Sequence, residues 1–207
     1  MRRLIVLDVD STFIQNEQID LLADIAGSGE EVAAITHRAM SGELDFEQSL
    51  KARVATLKGL PATAFDQVRH RISFTPGAVE LVEECAQRGW VVALVSGGFH
   101  EIIDPLVKDL AISYVRANRL DVVDGHLTGQ VRGEVVDRAA KATYLRKFAQ
   151  TEGIALENTV AIGDGANDLD MLEASGTGVA FAAKPVVANQ ADVSLPGPRL
   201  DDVLAHL

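Results

Sequence analysis

The chain has 207 residues, 47% of them hydrophobic, which is enough for one well-buried core plus an insertion at roughly 150 residues per domain. Its 30 acidic against 19 basic residues give a net charge of -11, which argues against nucleic acid as a partner and leaves small charged metabolites steered by local basic groups. The lone cysteine, Cys85, has no intramolecular disulfide partner, and no apolar run approaches the roughly 20 residues of a membrane span or a signal-peptide core, so a soluble cytoplasmic protein with no membrane partner is expected.

In chain order, the first apolar run is Leu4 to Leu7, and it ends in "DVDST". Residues 15–73 then carry no convincing strand but amphipathic helical pieces at 17–26, 30–40, 46–57 and 61–72, joined by "SGELD" and "KGLP". Residues 77–88 read as a helix stopped by Gly89, and 91–95 as a second buried strand followed by "VSGGF", which opens a helix over 99–110. "RLDVVDGHLTGQV" has β-branched residues on both sides of Asp124-Gly125, a hairpin expected near the sheet edge. A helix over 139–152 precedes a third strand at 159–162, then "GDGANDLDML", a fourth strand at 178–182, and a Pro-Gly-Pro turn before a last short helix. Short apolar runs alternating with helices suit a parallel sheet covered on both faces. The expected architecture is an α/β fold, a Rossmann-like parallel core from residues 1–14 and 74–207, with 15–73 inserted as helices after the first strand.

In open α/β sheets ligands bind beyond the carboxyl ends of the strands, which singles out Asp8, Asp10, Ser96 and Asp164. Asp8 and Asp10, two apart in an extended chain, point the same way at a separation of roughly 7 Å. Two like charges there call for a cation; hard carboxylate oxygens suit magnesium, which takes one or two carboxylates plus a substrate phosphate, and Asp164 supplies another carboxylate. "VSGGF" offers a hydroxyl and backbone N–H groups to a phosphate at a helix start. Lys141 sits in the opening turns of its helix, where a cation is mildly disfavoured unless an anion lies nearby. In "GDGANDLDML", Asp164 stands at the strand end and Asp168, four residues on, folds back as a supporting partner. Taken singly, each stretch also has an ordinary reading: a turn pair, an N-cap serine, a solvated lysine, an acidic loop.

Together, "DVDST", "SGG", Lys141 and "GDGAND" resemble, in order and approximate spacing, the four motifs of the haloacid dehalogenase superfamily of phosphohydrolases, and the helical insertion resembles its C1 cap. "DVDSTFIQNEQID" and "DFEQSLKARV" are similar to the branch that acts on phosphoserine in the last step of serine biosynthesis, in its short form without a regulatory ACT-type extension. The resemblance implies roles. Asp8 is the nucleophile that accepts the phosphoryl group, Asp10 the acid/base whose carbonyl also binds Mg2+, and Asp164 a metal carboxylate. Ser96, Gly97 and Lys141 bind phosphate, Asn167 and Asp168 support them, and Glu17 and Arg53 read the substrate's ammonium and carboxylate. Alternatives kept open are a related phosphatase or phosphotransferase for another small ester such as phosphohomoserine, and a phospho-receiver signalling module. Monomer and homodimer both stay open, and the five histidines, His37, His70, His100, His126 and His206, cluster around no motif.

Overall fold

The computed structural model describes all 207 residues. Strand β1 (Leu4–Leu7) is buried throughout and lies at the centre of a six-stranded parallel sheet. In chain order the sheet also contains β2 (Val91–Phe99), β3 (Tyr114–Asn118), β6 (Thr159–Gly163), β7 (Thr177–Phe181) and β8 (Val193–Leu195), arranged β3-β2-β1-β6-β7-β8. Side chains alternate across the strands as the pleat requires. Ile5, Leu7, Val92, Leu94, Val160 and Ile162 face one apolar layer with helix α5 (Ala78–Gln87). Leu4, Val6, Ala93, Val95 and Ala161 face the other, with α7 (Arg138–Glu152) and α8 (Leu169–Ala174). Burial on both faces is why these strands read as unbroken apolar runs. The lone thiol, Cys85, is buried in the first layer.

The register positions the functional residues. Leu7 pairs with Leu94 on one side and Ile162 on the other, so Asp8, Ser96 and Asp164, one or two residues further along, come to the same rim.

The inserted residues form α1 (Gln18–Ala26), α2 (Gly29–Met40), α3 (Phe46–Ala55) and α4 (Ala64–Arg71). Asp45 and Gln48 make a reciprocal capping box that starts α3, and Gly27, at φ 72°, takes the left-handed turn that ends α1. Leu22, Val32, Val54, Leu57 and Val68 build a separate apolar cluster that Phe99 and Ile102 join from the sheet side. The insertion leaves and re-enters through a two-stranded neck. Ile14 bridges Phe74, Gln15 N–H donates to the Ser73 carbonyl at 2.9 Å, and the buried Thr75 hydroxyl donates to the Thr12 carbonyl at 2.6 Å.

Two expectations need correction, and the hairpin has a packing partner that its pattern did not show. The hairpin forms, as β4 (Leu120–Val123) and β5 (His126–Val131), with Asp124 and Gly125 both at positive φ as a tight hairpin turn demands. It follows directly from β3, an edge strand of the main sheet, and packs against the inserted helices. Leu120 and Leu127 are buried in the insertion's apolar cluster, and Gly59 N–H donates to the Leu127 carbonyl at 2.8 Å while Leu127 N–H donates to the Leu60 carbonyl at 2.9 Å. The main sheet has six strands where four were flagged, because its edges are β3 and β8, whose sequences carry too few apolar residues to announce a strand. Finally, β2 runs extended through Ser96 and both glycines, so the following helix α6 starts at His100, covers His100–Val107, and is shorter than the pattern suggested. The remaining helix, α9 (Pro185–Ala188), is a single turn. No helix is long and apolar enough to cross a membrane.

Candidate active site at the sheet rim

Asp8, only 4% exposed, is the first residue past β1, and its Oδ1 accepts from Val9 N–H at 2.7 Å and from the Lys141 ammonium at 2.8 Å. Lys141 is fully buried and reaches a second carboxylate, Asp168 Oδ1, at 2.7 Å. The other oxygen of Asp168 accepts Gly165 N–H at 3.0 Å, so the Lys141–Asp168 pair is fixed on both sides. Asp137 brings the lysine there by capping α7, its side chain accepting Ala140 N–H at 2.8 Å. Burial works against the Lys141 charge, but Asp168 and Asp8 outweigh it and hold the ammonium above its usual pKa. Burial, aided by Asp168, pushes the Asp8 carboxyl up despite Lys141.

Asp164 faces Asp8 from the end of β6, and its Oδ1 accepts the Thr12 hydroxyl at 3.0 Å. Burial first, then Asp168, pushes its pKa up to about 6. Oxygens of Asp8, Asp164 and Asp168 lie within 4.8 Å of one another, a hard donor set suited to a divalent cation such as magnesium. Lys141 already neutralises Asp168, whereas Asp8 and Asp164 each keep their Oδ2 without a hydrogen-bond donor. Those two carboxylates therefore fit a metal ion best.

Asp10 sits where the chain turns off the strand into a wide loop closed by Ile14 N–H donating to the Val9 carbonyl at 2.9 Å. Burial, then Glu17, pushes its pKa up to about 7, and hydrogen bonds from Gln18 only partly offset this. Glu17 accepts the Ser11 hydroxyl at 2.6 Å; burial raises its pKa too. Arg53, on α3, makes one long bond, 3.4 Å, to the Ser49 carbonyl of its own helix, and burial lowers its pKa.

On the other side of the cleft, Ser96 is fully buried and its hydroxyl accepts Gly98 N–H at 2.8 Å. Asn118, at the end of β3, donates to the Gly97 carbonyl at 2.8 Å and accepts Val136 N–H at 2.8 Å, tying this loop to the segment that leads into α7. The Phe46 ring lies over Gly97, where a Cβ would come within 3.1 Å of it.

The ten sequence candidates converge. Asp8, Asp10, Glu17, Arg53, Gly97, Asp164 and Asn167 line one cleft of about 140 Å³, and Ser96, Lys141 and Asp168 are buried behind it. That volume is well under the roughly 300 Å³ at which drug-sized pockets begin, so the cleft suits a small molecule. Five carboxyls against two cations leave the site acidic, so a divalent cation there would offset the charge that an anionic ligand meets. Sequence reasoning missed Thr12, Gln18, Phe46 and Asn118. Thr12 lies within the quoted "DVDST", the one signal that pointed to it; Gln18 follows Glu17 but nothing local marks its partners, and Asn118 lies on an unrecognised strand. His100, unassigned from sequence, is a buried structural residue that accepts Ala117 N–H at 3.1 Å.

Residues 5–173 match the model of the haloacid dehalogenase-like hydrolases. The phosphoserine phosphatase of Streptococcus thermophilus is 53% identical over 207 residues, covering 100% of this chain and 96% of that protein. That of Streptomyces coelicolor is 55% identical over 203 residues, which are 98% of this chain but 50% of the relative, so the chain spans half the length of that protein. Among solved structures, a phospho-aspartyl intermediate analogue of phosphoserine phosphatase superposes with a TM-score of 0.93 at 47% identity, over 100% of this chain and 99% of the other.

Proposed function

Because the chain belongs to the haloacid dehalogenase-like hydrolase family, we propose that it is a magnesium-dependent phosphoserine phosphatase, hydrolysing O-phospho-L-serine to L-serine and phosphate through an aspartyl-phosphate on Asp8. The observation that carries this reading is the Asp8 carboxylate, buried at the strand end against Lys141 and open to a cleft that Asp10, Glu17 and Arg53 also line. Asp8 Oδ2 attacks phosphorus. Asp10, with a pKa near 7, gives its proton to the departing serine oxygen, then takes one from the water that cleaves the acyl phosphate. Ser96, the Gly97 N–H and Lys141 hold the transferring oxygens, and Asn167 and Asp168 support them. A magnesium ion held by Asp8, Asp164 and the Asp10 carbonyl supplies charge neutralisation that lets an anion approach an anion.

In this reading residues 15–73 act as a cap over the core of 1–14 and 74–207. Arg53 grips the substrate carboxylate with its fork and Glu17 balances the ammonium, so the cap selects a phosphorylated amino acid. A cytoplasmic protein, monomeric or a homodimer, belongs to the same proposal. A related ester such as phosphohomoserine would satisfy the same charges. A receiver module has the acid cluster but needs no acid beside its phosphoacceptor, and the family match sets it aside. Phosphate release from phosphoserine, phosphothreonine, phosphohomoserine and an aryl phosphate, with and without magnesium, tests the reading. Expected is magnesium-dependent release that is fastest from phosphoserine; equal rates on the aryl phosphate would refute the substrate claim.

A further inference from the structure

Gln18, the first residue of α1, is fully buried and makes three hydrogen bonds that none of the roles above explains. Its Oε1 accepts Phe99 N–H at 3.0 Å, which fixes the orientation of the amide and leaves Nε2 to donate to Asp10 Oδ1. Its own backbone N–H donates to Asp10 Oδ2 at 3.1 Å. One residue thus grips both oxygens of a single carboxylate, whose terminal torsion is otherwise broad and soft. The loop after the glycine pair is shaped for this. A Cβ on Gly98 would collide with the Gln18 amide, so glycine at that position is what lets the side chain reach across from the inserted helix.

We propose that Gln18 is a positioning residue that sets the plane of the Asp10 carboxyl, aiming its proton at the leaving oxygen. The proposal rests on the reading of Asp10 as acid/base. In the step concerned, the bond from phosphorus to the serine oxygen breaks, the bond from Asp8 to phosphorus forms, and the Asp10 proton moves to the serine oxygen. With acetyl phosphate the leaving acetate departs as an anion and takes no proton, so the orientation of Asp10 is irrelevant to the first half-reaction.

The test is the single-turnover rate of phosphoenzyme formation from phosphoserine and from acetyl phosphate, in Gln18→Met, Gln18→Glu and Asp10→Asn, with magnesium present. Gln18→Met keeps the length of the side chain and removes the amide. Expected for it is a loss of about 10- to 100-fold with phosphoserine, the scale of a misplaced catalytic group, and under about 3-fold with acetyl phosphate. Both rates are read on one preparation, so partial unfolding scales them together and leaves their ratio intact. If Gln18→Met does not fold, Gln18→Glu, which can still accept Phe99 N–H, is expected to show the same change in ratio. Equal loss on both substrates, or loss on neither, overturns the proposal. If Asp10→Asn separates the two substrates and the Gln18 variants do not, Gln18 alone is wrongly assigned. If Asp10→Asn slows both alike, the acid reading of Asp10 falls and takes this inference with it.

Discussion

Lys141 and Arg53 are the two cations of the cleft, and they are held in opposite ways. Lys141, on the core side, is wholly buried and clamped between Asp8 and Asp168 at 2.8 and 2.7 Å. Arg53, on the inserted helices, pairs with no carboxylate within 4.0 Å and makes only a 3.4 Å bond within its own helix. Burying charge is costly unless each group is paired and hydrogen-bonded, so the rim has little freedom to rearrange. The inserted helices leave an arginine fork and a glutamate with hydrogen-bonding capacity to spare, which is what recognition of a charged ligand requires. In the proposed function, fixed electrostatics would serve the chemistry and unfilled donors the selection, in different parts of the chain.

The sharpest way to break this contrast is to remove each cation in turn. Lys141→Met strands two buried carboxylates, and a stability loss of about 3–5 kcal/mol is expected by chemical denaturation, together with loss of turnover. Arg53→Ala is expected to leave stability within about 0.5 kcal/mol. Its cost falls on kcat/KM for phosphoserine, about 2–3 kcal/mol or 30- to 150-fold and mainly in KM, with Arg53→Lys only partly restoring it. Comparable destabilisation by the two substitutions would contradict the division.

A second contrast is electrostatic. Asp10 and Asp164 have folded pKa values raised from the usual 3.8 to about 7 and about 6. Between 3.8 and those values the folded chain keeps protons that the unfolded chain has released, so without a divalent cation stability falls as pH rises, by up to about 1.4 kcal/mol per pH unit for each carboxyl. Below that window both states are protonated and the two groups contribute nothing. Magnesium held by Asp164 favours the ionised form of that carboxyl, so thermal unfolding scans from pH 4 to 7 should show a stabilisation by magnesium that grows with pH. A magnesium effect independent of pH would count against the Asp164 carboxyl as a binding group.

The smallest effects separate the two helix caps. Asp137→Ala and Asp45→Ala each remove one N-cap, at a cost of about 1 kcal/mol in stability. Asp137 starts the helix that carries Lys141 and should lower kcat. Asp45 starts the helix that carries Phe46 and Arg53 and should raise KM. Steady-state kinetics on phosphoserine decides whether the two parameters separate.

The gathering of the candidate residues was legible in sequence because it is written locally. "DVDST", "VSGGF" and "GDGAND" each end a buried strand, and register alone brings them to one rim. The four strands flagged in sequence are those buried on both faces, where apolar runs are obligatory. β3, an edge strand of Tyr-Val-Arg-Ala-Asn, carries no such run, and with it Asn118 went unseen. Gln18 was illegible for another reason: its partners are Asp10 at one end and Phe99, eighty-one residues away, at the other, a pairing that no local pattern encodes. The hairpin's turn was readable from Asp124-Gly125, but its destination depended on where Leu120 and Leu127 find apolar cover.

The most direct measurement is to quench the enzyme in acid during turnover of phosphoserine and map any phosphoryl adduct by mass spectrometry. Expected is a near-stoichiometric, transient adduct on the peptide holding Asp8, absent in Asp8→Asn, which also fails to release phosphate. An unmodified Asp8 during rapid turnover, or an Asp8→Asn variant that works at the parental rate, would contradict covalent transfer to that side chain.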